Sequence, residues 1–124
     1  VNLINKRYLF IFLGAIIGAT LRLLVNYGMM EINLPFLSST FIVNMAGAFF
    51  VGLAYMKLNA TNAQLLFTTG LLGTFTTFSA LSMELYFGLY TSQFIFFSVY
   101  LVLNMLGGLI MVYLGAKIGG KKYE

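Results

Sequence analysis

The chain has 124 residues, of which 60% are hydrophobic and only 8% charged, a balance that leaves too little polar surface for a water-soluble domain and makes lipid the expected solvent of a single domain over residues 1–124. It contains no cysteine and no histidine, and its acids are Glu31, Glu84 and Glu124, so disulfide frameworks and thiolate or imidazole metal sites are excluded and an enzyme is not the expected class. The net charge of +4 does not point to nucleic acid, because the basic residues flank apolar segments instead of interleaving with aromatics.

A membrane helix needs roughly 20 mostly apolar residues, and four stretches qualify. The first runs from Tyr8 to Met30. Lys6-Arg7 ahead of it resembles the start of a signal peptide, but the apolar run is longer than a signal core and no small-x-small cleavage site follows. It is read as a retained first helix. Arg22 lies inside it, where a charge is costly and normally faces a partner or a wet cavity; snorkelling to the interface is the alternative. Gly14 and Gly18 have the spacing of a packing seam.

The second stretch runs from Phe36 to Met56, after a connection containing Glu31, Asn33 and Pro35. Asn44 sits near its middle, with Thr40 and Gly47 on the same helical face. Its amide offers N–H donors and an acceptor. It serves either as glue between helices or as a donor lining an anion path.

The third stretch, Ala63 to Tyr90, follows Lys57, Asn59, Thr61 and Asn62. Its segment Gly70–Ser82 reads GLLGTFTTFSALS. Gly70 and Gly73 weaken a helix, and Thr74, Thr76 and Thr77 compete for backbone hydrogen bonds. The expectation is a helix broken at mid-membrane, exposing backbone groups of the kind that hold ions; a continuous small-residue packing face is the alternative. The fourth stretch, Gln93 to Lys117, follows Thr91, Ser92 and Gln93 and places Tyr100, Asn104 and Gly108 on one face. Gly107, Gly108 and the pair Gly115/Gly119 permit close helix approach. Connections this short make neighbouring spans antiparallel. One side then carries Lys6, Arg7, Lys57, Lys117, Lys121 and Lys122, and the opposite loops carry no Lys or Arg. This bias places both termini in the cytoplasm.

These segments resemble the Fluc/CrcB fluoride channels over essentially the whole chain. The resemblance rests on GAIIGATLR in the first helix, STFIVNMAGAFFVG in the second and GLLGTFTTFSALSMEL in the third. It implies an all-α membrane protein of four transmembrane helices with the third broken at mid-membrane, assembling as an antiparallel dual-pore dimer in the inner (plasma) membrane. It implies a fluoride pore at Asn44, Phe78, Ser79, Leu81, Tyr100 and Asn104. It also implies a structural Na+ on the backbone carbonyls of Gly73 and Thr76 from both subunits, with Arg22 matching the family's first-helix arginine. The sequence departs from the family pattern at Leu81, where a second phenylalanine is expected, at Asn104 in place of serine, and at Gly108 in place of a hydroxyl. Asn44 N–H groups, hydroxyls and aromatic edges suit a dehydrating fluoride ion, and no acidic side chain is expected along the path.

A six-to-zero Lys/Arg bias opposes insertion in both directions. The expected partner is therefore an oppositely inserted homologue, forming a heterodimer, and otherwise a second copy of the chain. The other expected contacts are the fluoride ion and membrane lipid, with no nucleic acid. A small multidrug transporter would need a membrane-embedded carboxylate in the first helix, which instead carries Arg22. A non-conducting structural subunit is the remaining alternative class.

Overall fold

The computed structural model describes residues 2–34, 36–58 and 62–120. Pro35, Asn59, Thr61, Lys121, Lys122 and Glu124, used above as loop, charged or acidic positions, lie outside them. Among the described residues all regular structure is helical. The chain runs through α1 (Leu3–Met29) and α2 (Ser39–Lys57) into a composite third span. That span comprises α3 (Asn62–Gln64), a π-helical stretch Leu65–Leu72, α4 (Gly73–Phe75) and α5 (Phe78–Tyr90). The fourth span is α6 (Phe94–Gly119). Four spans are long and apolar enough to cross a membrane, which makes this a multi-pass membrane protein.

The boundaries follow local chemistry. α1 begins at Leu3, five residues before the expected start, because Lys6 and Arg7 are good helix formers and continue the first turns. α2 starts where Ser38 caps it, its Oγ accepting a hydrogen bond from the Phe41 N–H at 3.1 Å. Lys57 and Lys117 fall in the last turns of α2 and α6, where a cation complements the helix dipole.

Consecutive spans are antiparallel, yet the closest packing joins alternate spans, which run parallel. α1 packs on the first half of the third span through Gly14, Gly18 and Gly70. A side chain at Gly14 would strike the Leu66 carbonyl oxygen and come within 2.8 Å of the Leu71 nitrogen. One at Gly18 would strike the Leu71 carbonyl oxygen and the Thr74 hydroxyl. The Thr74 hydroxyl lies 3.0 Å from the Ala15 carbonyl across this seam, with the Gly70 and Leu71 carbonyls of its own span at 2.9 and 3.1 Å. α2 packs on α6 in the same manner: Gly115 meets the Phe49 backbone, and Gly52 meets the backbone of Val112 and Ala116. In membranes such small-residue contacts replace the hydrophobic effect as the source of close packing.

Two expectations shift. Gly70 does not open the break; it is buried in the π-helical stretch against the α1 backbone, its added Cβ falling 3.0 Å from the Gly14 Cα. The break itself falls at Thr76 and Thr77, both in extended conformation (φ/ψ −81/156° and −145/113°). Beyond it α5 is thinly covered, with Gly88 its only buried residue and Phe78 81% exposed.

The alternate-span seam yields a direct prediction. Gly14→Val is expected to prevent stable folding, because the obstructing atoms are backbone. Gly28→Val, where no atom lies within 4 Å, is expected to behave as wild type. Monodispersity and thermal unfolding of the detergent-solubilised variants check the contrast.

Candidate functional site

The break is held by one side chain. Asn44 Nδ2 donates to the Thr77 carbonyl at 3.0 Å, and the Thr77 N–H donates to Asn44 Oδ1 at 2.8 Å. An uninterrupted helix would give that N–H to the Gly73 carbonyl. The amide thus replaces the helical partner, and its second Nδ2 hydrogen is not used by these bonds. One turn further along α2, Gly47 makes room for the break: the Thr76 methyl occupies the place its side chain would take. Thr76 turns its hydroxyl back to the Leu72 carbonyl at 2.9 Å, and Thr77 Oγ1 caps α5 by accepting from the Ala80 N–H at 3.2 Å.

The break therefore presents two unlike surfaces. The end of α4 offers carbonyls, including Gly73, whose helical donor has gone to Asn44, and Thr76, which lies past the helix. The start of α5, a helix of 13 residues, offers N–H groups and the positive end of its dipole. Asn44, Thr76, Thr77, Phe78 and Leu81 line one groove of about 320 Å³, together with Gly47 and Val112. The Ser79 hydroxyl lies 3.2 Å from that of Thr77 at the α5 terminus, but Ser79 is not part of the groove wall.

Tyr100 and Asn104 are not brought into this groove. Tyr100 is buried with 1% exposure, and its ring stacks on Phe96 with centroids 5.3 Å apart. Phe96 stacks in turn on Phe36 at 5.3 Å. The Tyr100 hydroxyl donates to the Glu84 carboxylate and lies 2.7 Å from Ser38 Oγ, which itself lies 3.4 Å from Glu84 Oε2. Since Tyr100 gives its proton to Glu84, Ser38 is the donor between the two hydroxyls. The bonds then run in one direction, from the Phe41 N–H through Ser38 and Tyr100 to Glu84. These three side chains line a second, larger cleft of about 720 Å³ with Asn33, Thr91 and Gln93, at the end of the bundle away from Lys57 and Lys117.

Glu84 stands in this cleft, so an acid lies beside Tyr100, one of the residues expected along the path. The sequence reading passed over both Glu84 and Ser38. A lone carboxylate inside an apolar span is as strong a signal as Arg22, and it was available in the sequence. Asn104 has a different fate. It is buried with 7% exposure, its Nδ2 donates to the Tyr100 carbonyl of its own helix at 2.8 Å, and its Oδ1 has no partner among the described residues. Arg22 is partly exposed on α1 and lines neither the groove nor the cleft.

With this geometry in view, comparison with known proteins places the chain. Residues 9–116 match the family model described as CrcB-like protein, Camphor Resistance (CrcB). A protein of Staphylococcus saprophyticus named fluoride-specific ion channel FluC 2 is 37% identical over 122 residues, covering 93% of this chain and 98% of the relative. A protein of the same name from Lactobacillus johnsonii is 38% identical over 107 residues, covering 86% and 90%. Fluoride-specific ion channel FluC 1 of Staphylococcus epidermidis is 36% identical over 121 residues, covering 93% and 98%.

The role of Asn44 at the break can be measured without transport. Asn44→Ala leaves the Thr77 N–H and carbonyl unpaired, and each such group costs about 1–3 kcal/mol. A pronounced drop in thermal stability of the solubilised protein is expected. Ser79→Ala, on an exposed side chain, is expected to stay within about 0.5 kcal/mol of wild type.

Proposed function

The chain belongs to the CrcB-like family, and on that premise we propose that it is a subunit of a fluoride-selective channel that lets fluoride leave the cytoplasm. The observation that carries this reading is the break beside Asn44. It sets unspent N–H groups and a positive helix end against an otherwise apolar groove. A small, strongly hydrated anion entering such a groove needs donors to replace water. The second Asn44 N–H and the start of α5 are suited to supply those donors. Phe78 offers an electropositive ring edge. Leu81 contributes apolar surface only, so one aromatic wall must come from elsewhere. Ser79, Tyr100 and Asn104 lie outside this groove and Arg22 lines neither groove nor cleft, so their place in the pore and its vestibule rests on the family resemblance alone.

The same break fits a structural Na+. Among the described residues no three Asp, Glu, His or Cys side chains converge, so a cation would be held by neutral oxygens. The carbonyls of Gly73 and Thr76 are the ones the break releases from helical duty. Two oxygens are too few to replace the hydration of a sodium ion, and we propose that a second subunit contributes the equivalent pair across a two-fold axis.

That subunit is inserted in the opposite direction, making an antiparallel dimer in the plasma membrane. The exposed apolar surface of α5 supports such a partner. We assign this chain the orientation with both termini in the cytoplasm, from its six-to-zero Lys/Arg bias, and its partner to an oppositely inserted homologue. The relatives' names, numbered 1 and 2, are in keeping with channels made of two different chains.

Efflux from fluoride-loaded liposomes, followed with a fluoride electrode, tests both parts. The chain co-purified with an oppositely inserted homologue is expected to release fluoride and retain chloride, and the chain alone to release neither. No fluoride release from the pair overturns the channel reading. Release from this chain alone keeps the channel and overturns the heterodimer.

A further inference from the structure

A third depression lies away from the groove and the cleft. It is a furrow of about 430 Å³ between α1, α2 and the first half of the third span. Its lining surface is wholly apolar, formed by Phe50, Phe67, Leu71 and Phe75 among others, with the aliphatic stem of the exposed Lys57 at one end. Lys57 closes α2, while Phe75 closes α4 beside the break. The furrow thus runs along the membrane normal, from the interface to the middle of the bilayer. Phe50 and Lys57 are seven residues apart on α2, about 10 Å, and the hydrocarbon depth of one leaflet is about 15 Å.

From these features we infer that the furrow is a binding site for an anionic glycerophospholipid of the leaflet on the Lys57 side. One acyl chain lies between the helices, and the headgroup phosphate pairs with the Lys57 ammonium. The shape argues for an acyl chain: a continuous apolar channel opens at the level of the headgroups and covers about two-thirds of a leaflet's depth along α2. The charge argues for an anionic lipid. Lys57 is exposed where α2 ends, so its ammonium reaches the headgroup level beside the mouth of the furrow, where a lipid phosphate supplies a counter-charge. Ala54 adds a small side chain to the furrow wall. The inference depends on the chain's residence in a bilayer and not on what ion it conducts.

The chain contains no tryptophan, which gives a clean reporter. Phe67→Trp places a single indole on the furrow wall at a position already 46% exposed. The full-length variant, reconstituted into vesicles, is titrated with brominated-chain phosphatidylglycerol or brominated-chain phosphatidylcholine. Quenching is expected to favour phosphatidylglycerol about fivefold, the ~1 kcal/mol that one basic residue contributes near a membrane surface. Adding Lys57→Gln is expected to bring that ratio close to one while leaving quenching itself intact. Equal quenching by the two lipids, or a preference that survives Lys57→Gln, overturns the proposal. So does an indole that neither lipid quenches, which would assign the furrow to a protein contact.

Discussion

The pair of hydrogen bonds between Asn44 and the Thr77 peptide is the constraint on which the rest of the molecule depends. A helix that stops inside a bilayer strands N–H and carbonyl groups where no water can reach them, and each costs several kcal/mol in hydrocarbon. Asn44 satisfies one of each with a single amide. Gly47, one turn away on α2, lets Thr76 approach closely enough for this geometry to hold. The third span is thereby divided into a half that ends in acceptors and a half that begins with donors. The candidate site follows from that division.

The glycines solve the complementary problem of bringing α2 near enough to act as a splint. Parallel pairing of α1 with the start of the third span, and of α2 with α6, fixes two rigid layers through backbone contact. The four spans were legible in the sequence because hydrophobic length is unambiguous in a membrane protein. Which spans pack together was not. Short loops reveal direction, but they say nothing about which faces meet, and alternate spans proved to be the close neighbours. The break was legible too, from its cluster of Gly and Thr, though its position was not. Gly70 suggests weakness in a helix taken alone. Pressed against Gly14 it is a contact residue, and the interruption passes to Thr76 and Thr77, where Asn44 can receive it.

At the site, sequence reasoning left Asn44 open between glue and donor, and the geometry explains why both readings had merit. Two of its hydrogen-bonding functions are spent on the backbone and one N–H is left. The face shared by Tyr100 and Asn104 is real at the level of helical spacing, yet side-chain length separates them. The tyrosine ring carries its hydroxyl out to Ser38 and Glu84. The shorter asparagine folds back onto its own helix, a local bond that polar residues in apolar helices commonly make. Spacing alone encodes which residues share a face and not how far each reaches, so Ser38 and Glu84 escaped a reading built on faces.

The division of the third span also bears on the dimer proposed above. Donors at the start of α5 suit an anion, and acceptors at the end of α4 suit a cation, so the break sorts charges of opposite sign to its two ends within a few residues. A lone chain would leave both surfaces half used. The released carbonyls number too few to hold a bare cation, and among the described residues one apolar flank of α5, with Phe78, Met83, Tyr86 and Phe87, is left exposed. Two-fold pairing about the break removes both deficits at once. In the proposed dimer it would double the carbonyls at the axis and set each α5 against a neighbour. On the channel reading, a cation at such an axis would further favour anions in the flanking grooves, because its charge is buried and weakly screened. The side chain that permits the break is then the one that also keeps a donor in reserve for the ion.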